Sequence, residues 1–233
     1  EAASNGELQV EIYPAAQLYK DSEVPQAVSS GAIEMGVASI TRFAGTIPAV
    51  DIFYVPFMFT NEDMVRKAVA PDSPIRSALD DAILDTGARV LWWQAYGGAI
   101  MLSKGGPLKT PADIKNKKVR VFGKTLGEFV TATGGVPVLT SGSEQYVAYQ
   151  RGTVDAGMTG VSGVQSRKLW QVMDTITVTN HAAAKAEGMG VYVPTAEEMA
   201  AWREASAPVV EQYKAAAGEL GAKLVMEAEK LQQ

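Results

Sequence analysis

Arg120 stands inside an apolar run, Lys117-Lys118-Val119-Arg120-Val121. The run reads as a strand, and a guanidinium buried in a strand is costly unless an anion meets it. Its planar fork matches the two oxygens of a carboxylate, as a lysine would not. The alternatives are an edge arginine that reaches solvent, or one paired with an acid of this chain. Arg42 follows another apolar run and is the one further arginine placed to meet a second carboxylate. A solvated Arg42 is the alternative. Trp92, Trp93 and Tyr96 end a third run, and ligands of α/β proteins sit at the carboxyl ends of strands. One of these rings is a candidate to stack on a ligand, and so is Trp170. The alternative is core aromatics with a surface tyrosine.

Other chemistries find little support. The chain has no cysteine, which excludes disulfides, zinc-thiolate sites and cysteine nucleophiles. His181 is the only histidine, and the sequence shows no partners for a triad or a metal cluster built on it. Gly105-Gly106 and Gly134-Gly135 are not followed by the residues of a phosphate loop. Gly160-Val161-Ser162-Gly163 misses the nucleophile-elbow pattern. An enzyme of acidic substrates would need such an elbow, or an acid–base pair near Arg120. We therefore expect binding without covalent chemistry, and no cofactor.

Length and composition set the frame. The 233 residues suffice for one large domain or two lobes. A net charge of -5 argues against a nucleic-acid groove or an anionic membrane surface as partner. No apolar run approaches the ~18 residues of a membrane-spanning helix. No signal peptide is read at the opening Glu1-Ala2-Ala3-Ser4, which suits a processed or trimmed form.

The elements that must hold these residues alternate between strand and helix. Strands are expected at 8–13, 33–39, 52–59 (leading into a buried loop), 88–94, 100–103, 119–122, 136–139, 153–157 and 175–178. Helices are expected at 24–30, 61–69, 75–84, 126–133, 143–151 and 161–170. Glu144 begins one of them and is expected to serve its N-terminus. Thr110-Pro111 marks another start. The capping box Thr195-Ala196-Glu197-Glu198 opens a long helix with Met199, Trp202, Val209, Val210 and Tyr213 on one face. A last helix is expected over 222–231. Alternating strands and helices imply an α/β protein with a largely parallel sheet.

Six blocks then carry a resemblance. They are Gly6 to Leu18 with its Tyr13-Pro14…Gln17-Leu18 turn; Gln26 to Gly36; Val55-Pro56-Phe57-Met58-Phe59; Leu108 to Lys115 before the arginine strand; Ser143-Glu144 with Gly152-Thr153-Val154-Asp155; and Thr179-Asn180-His181. In this order the chain resembles the substrate-binding proteins of tripartite ATP-independent periplasmic (TRAP) transporters. The resemblance covers residues 6–181. It implies two lobes of mostly parallel sheets flanked by helices, divided as 1–94, 95–178 and 179–233, the last packing across the lobes. It implies Arg120 as the bidentate partner of a substrate carboxylate. It places Thr159 where many relatives carry asparagine, so that its hydroxyl would meet the ligand; an N-cap for the helix from Val161 is the other reading. It places Ile100 where sialic-acid-binding relatives use a second arginine, which argues against that ligand. The implied function is capture of a small organic acid, a C4-dicarboxylate or keto acid among them, in the periplasm. Delivery would be to TRAP membrane permease subunits. The chain is expected to start at the family's second strand and to lack a piece after His181.

Overall fold

The computed structural model describes residues 2–94, 98–178 and 189–232. Its centre is one sheet of six strands in the order β3-β2-β4-β1-β5-β6. These are β1 (Ala99–Ser103), β2 (Lys118–Val121), β3 (Val136–Leu139), β4 (Ala156–Gly160), β5 (Thr175–Thr177) and β6 (Gly190–Tyr192). β2 runs parallel to β3 and β4, and β5 parallel to β6. β1 lies antiparallel between β4 and β5. The mostly parallel α/β class therefore holds, but within one sheet among the described residues rather than two.

Helices cover both faces, so the inner strands are buried almost throughout, with the polar residues Ser103, Arg120, Thr159 and Thr177 among them. Side chains still alternate between faces. Ile100 and Leu102 of β1 enter one core with Tyr149, Leu169 and Ile176. Met101, Val119, Val121, Ala156 and Met158 enter the opposite core with Phe129 and Trp202. The same alternation turns Arg120, Gly157 and Thr159 away from that second core and toward α5 (Gln145–Gln150). α4 (Lys124–Ala132) buries Leu126, Phe129 and Val130 along one stripe against the sheet.

The N-terminal half is helical around a third core, with Val50, Ile52, Ile75, Leu79 and Ile83 at its centre. Caps define its helices. Asn61 accepts from the Met64 amide before α2 (Glu62–Ala68), and Ser73 accepts from Ile75 and Arg76 before α3 (Pro74–Leu84). α1 (Val24–Ser29) also falls where expected.

Three expected strands of this half are not formed. Residues 8–13, 33–39 and 88–94 belong to no ladder, and Ile12 and Val37 are each 78% exposed. Their local pattern suits a strand, but a strand is completed only by a partner, and a ladder contact is non-local. The expected strand at 52–59 is instead the end of a 3-10 helix, Pro48–Tyr54, started by its proline and followed by a buried turn. The strand expected at 153–157 begins three residues later, as β4. The Asp155 carboxylate caps the neighbouring Lys118 amide at 2.8 Å just before the ladder proper.

The C-terminal segment ties the halves together. The Thr195–Glu198 capping box forms and opens α7 (Ala196–Ser206). The single long helix expected from it is cut at Pro208, whose ring cannot continue a helix interior, and α8 (Pro208–Lys230) begins there. α8 also contains the helix expected at 222–231, bent at Gly218, where φ is 59°. Trp202 of α7 lies in the sheet core, while Tyr213, Leu224, Val225 and Ala228 of α8 lie in the N-terminal core. Among the described residues no helix is long and apolar enough to cross a membrane.

Asp51 is the weak point of this packing. It is buried, its Oδ2 accepts from the Thr125 amide at 3.2 Å, and its Oδ1 has no hydrogen-bond partner. Burial raises its carboxyl pKa, against the lowering by Thr125. A raised folded-state pKa gives stability that is present at acid pH and lost as pH rises through it. Asp51→Asn keeps the acceptor for Thr125 and removes the charge. We expect it to stabilise the fold by about 1–2 kcal/mol at pH 7.5 and by less at pH 4, read from paired melts. An equal gain at both pH values would refute this.

Candidate functional site

β2 is an internal strand, so Arg120 cannot reach around an edge. It is 2% exposed. Its Nε and one terminal nitrogen donate to the Thr140 carbonyl at 3.1 and 2.7 Å, and the other terminal nitrogen donates to the Met158 carbonyl at 2.7 Å. A guanidinium carries five N–H donors, so one remains on each terminal nitrogen. Among the described residues no carboxylate forms an ion pair with it. Both sequence-level alternatives, a solvated edge arginine and an internal salt bridge, are therefore excluded for the described residues. Burial lowers its pKa to about 10, with the neighbouring Arg167 and Arg42 adding to the effect against Tyr149. It stays charged at neutral pH. Phe122 lies under the guanidinium at 5.2 Å.

Gly157 opposes Arg120 across the β2–β4 ladder. A Cβ there would stand 2.0 Å from the Tyr149 hydroxyl and 2.9 Å from the Arg120 Cβ. The missing side chain lets α5 pack its polar residues down onto the arginine. Gln145 donates to the Tyr149 hydroxyl at 2.8 Å, and both residues are fully buried.

Thr159 belongs to the same face and is 1% exposed. It is not a helix cap: Gly160 holds the N-cap position of α6 (Val161–Ser166). The Thr159 hydroxyl lies 3.5 Å from Gln145 Oε1 and accepts from Arg167 at 3.4 Å.

The N-terminal half meets the sheet at the carboxyl end of β2. Thr41 donates to the Phe122 carbonyl at 3.1 Å, and Lys20 pairs with Glu144 at 2.9 Å. The Glu144 carboxylate is held below its usual range by Lys20; the residue takes the N-cap position of α5, as expected, without a side-chain capping hydrogen bond. Arg42 is not solvated either. Its Nε donates to Asp21, whose other oxygen accepts from the Ser39 amide at 2.8 Å. One terminal nitrogen of Arg42 is buried with no hydrogen-bond partner.

The aromatic candidates lie elsewhere. Trp93 packs against the N-terminal core, 5.8 Å from Phe53, and its indole donates to Asp80 at 2.7 Å. Trp92 is 60% exposed. Trp170 packs on the core around Ile176 and lines an open groove of about 430 Å³ with Lys104, Tyr146 and Gln150. None of the partners of Arg120 lines that groove. Ile100 is fully buried and supplies no polar contact. Tyr96 and His181 lie outside the described residues.

Sequence reasoning missed Arg167, Gln145, Tyr149 and Asp21. Arg167 is one basic residue beside another, Lys168, after a short helix, and no local pattern separates the two.

The geometry is thus a buried guanidinium near the carboxyl end of β2, without an ion pair among the described residues, whose charge feels Arg167 and Arg42 on one side and Asp21 on the other. Residues 1–187 match the family model of the bacterial extracellular solute-binding protein, family 7 (DctP). The chain is 31% identical over 185 residues to the C4-dicarboxylate-binding periplasmic protein DctP of Rhodobacter capsulatus, covering 78% of this chain and 54% of that one. It is 26% identical to the 2,3-diketo-L-gulonate-binding periplasmic protein YiaO of Escherichia coli, covering 77% and 54%. The chain spans about half the length of these curated relatives. Two solved structures share its fold. A TRAP periplasmic solute-binding protein of Sulfurospirillum deleyianum with bound succinate gives a TM-score of 0.85 at 21% identity, covering 99% of this chain and 90% of that one. The sugar acid binding protein DctPAm of Advenella mimigardefordensis with galactonate gives 0.89 at 20%, with the same coverage. The family is one of transporter binding proteins, not of enzymes, and this chain belongs to it: the family 7 extracellular solute-binding proteins of TRAP transporters.

Proposed function

We propose that the protein is an extracytoplasmic binding protein that captures a small organic acid on Arg120 and delivers it to a TRAP-type membrane transporter. The observation that carries this reading is the Arg120 guanidinium, buried and without an acid partner among the described residues, with one N–H left on each terminal nitrogen. A buried charge in that state is stabilised by an incoming carboxylate, and the two remaining donors suit a bidentate one. Relatives whose names record dicarboxylate or keto-sugar-acid binding in the periplasm support the ligand class and the compartment.

Residues 1–94 and 95–178 would act as two lobes that close on the acid, with 179–233 packed across them. The contacts Lys20–Glu144 and Thr41–Phe122 join these two parts at the site. Thr159 and Arg42 would complete the polar lining.

Thermal unfolding with a panel of mono-, keto- and dicarboxylates tests this. A bound acid at ~100 times its dissociation constant adds about 2.7 kcal/mol, a rise of roughly 5–10 °C for a chain of this size. The acid should be recovered unchanged. A cooperative melt that no acid of the panel moves would sink the proposal.

A further inference from the structure

Residues 122–125 follow β2 directly and meet the N-terminal half along a short strip. The Phe122 ring lies under the Arg120 guanidinium, and its carbonyl accepts from Thr41 at 3.1 Å. Gly123 lets that contact form: a Cβ there would stand 2.9 Å from the Thr41 methyl. The Thr125 amide, in the first turn of α4, donates to Asp51 at 3.2 Å. Asp51 thus reaches from the 3-10 helix Pro48–Tyr54 of one half to a helix of the other. It is 2% exposed, and its Oδ1 has no hydrogen-bond partner. The groups around it leave that oxygen unmet. On α4, Lys124 is mostly exposed and lies 3.8 Å from Glu128. On α8, the Tyr213 hydroxyl is committed to the Ala49 carbonyl at 2.9 Å. These three side chains and Asp51 border a cavity of about 10 Å³. Its own 3-10 helix carries no other charged residue. Burial is the largest influence on the Asp51 carboxyl and raises its pKa. Glu128 adds to the rise, and Thr125 and Lys124 act against it.

We propose that Asp51 is a proton-linked latch: as the two halves close on an acid at Arg120, its carboxyl is buried against α4 and takes one proton from solvent. The carboxylate becomes a neutral acid, and no other bond changes. This rests on the reading of two lobes that close on an acid at Arg120. The sign follows from burial. Parting the halves returns Asp51 to water and to the ordinary aspartate pKa of about 3.9, and closing them raises it. Affinity is then greatest at acid pH and declines as pH rises through the closed-state value. Above that value it is level, and capture carries the cost of burying the charged form.

The test is titration calorimetry with pyruvate and galactonate, whose substituted carboxyls stay ionised to lower pH than an ordinary aspartate. Wild type and Asp51→Asn are compared from pH 6 down to 4.5 and again at pH 7.5. Asparagine keeps the acceptor for Thr125 and cannot take the proton. Wild-type affinity should rise by at least about twofold between pH 6 and 4.5, against a ceiling of about tenfold per pH unit. Near pH 5 its binding enthalpy should differ between two buffers of different ionisation enthalpy, in the direction of proton uptake. Asp51→Asn should show a smaller rise and a smaller buffer difference, and should bind more tightly than wild type at pH 7.5. The same pH profile and buffer difference in both proteins would mean that Asp51 is equally buried with and without the acid. That overturns the latch while Arg120 keeps its role. A wild-type affinity that is flat or falls toward pH 4.5, with Asp51→Asn following it, overturns it too. If neither these acids nor any other of the panel binds wild type, the reading of Arg120 falls and takes this one with it.

Discussion

Arg120→Met should abolish the ligand-dependent rise in melting temperature, and Arg120→Lys should reduce affinity by about a hundredfold or more. Methionine matches the stem of arginine and removes the charge. Lysine keeps the charge but not the fork, so it cannot hold the Thr140 and Met158 carbonyls and a carboxylate together. Neither variant should unfold the chain. Losing three hydrogen bonds to carbonyls is offset by no longer burying an ion without an acid partner. Melts without ligand should therefore stay within a few degrees of wild type, about 1 kcal/mol on this scale. A ligand-induced shift that survives in Arg120→Met would mean the acid is held elsewhere. There is also a pH signature. With its pKa lowered to about 10, Arg120 is charged through the neutral range. Carboxylate binding favours the charged form, so affinity should be flat from about pH 6 to 9 and fall above about pH 10.

Arg120 was legible because its oddity is local: a charge in a four-residue apolar strand is visible without knowing what surrounds it. The helix starts were legible for the same reason. The side chains of Asn61, Ser73 and Thr195 bond amides two or three residues ahead, so the signal and its target share one short window. Residues 8–13 show the limit of this logic. They carry the alternation of a half-buried strand as clearly as any segment of the chain, and they lie exposed outside any ladder. Nothing local distinguishes them from β1, whose partners come from residues 156–160 and 175–177. The site divides along the same line. Thr159 could be placed because the strand carrying it could be aligned by its neighbours. Arg167 could not, because Gln145 and Thr159, which accept from it, meet it only in space. Trp93 failed in the opposite direction. A strand-end aromatic suggests stacking on a ligand, but Asp80, thirteen positions away on α3, binds its indole nitrogen.

Trp202→Ala should be the most destabilising single substitution outside the site. The residue is fully buried, stacks on Phe129 with ring centroids 5.8 Å apart, and donates from its indole to the Lys109 carbonyl at 2.7 Å. Removing a buried tryptophan costs about 3–5 kcal/mol through lost contacts and the cavity left behind. The orphaned Lys109 carbonyl adds about 1 kcal/mol. Against a total stability of roughly 5–15 kcal/mol, that is a large share. The melting point should fall by roughly 8–20 °C. Trp202→Phe keeps the stacked ring and should lose much less. The effect should not stay local. α7 leads directly into α8, whose Tyr213 hydroxyl donates to the Ala49 carbonyl at 2.9 Å and whose Leu224 and Val225 fill the N-terminal core. Loosening α7 from the sheet therefore loosens the strap that joins that core to it, and urea unfolding of Trp202→Ala should remain a single transition at a lower midpoint. Two resolved transitions, one near the wild-type midpoint, would show that the N-terminal core holds α8 without help from the sheet. Because the contacts Lys20–Glu144 and Thr41–Phe122 meet at the same strand end as Arg120, a weakened strap should also weaken acid binding in Trp202→Ala. Trp202 stands on the opposite face of the sheet from Arg120, so that loss would report how firmly the two halves are held together.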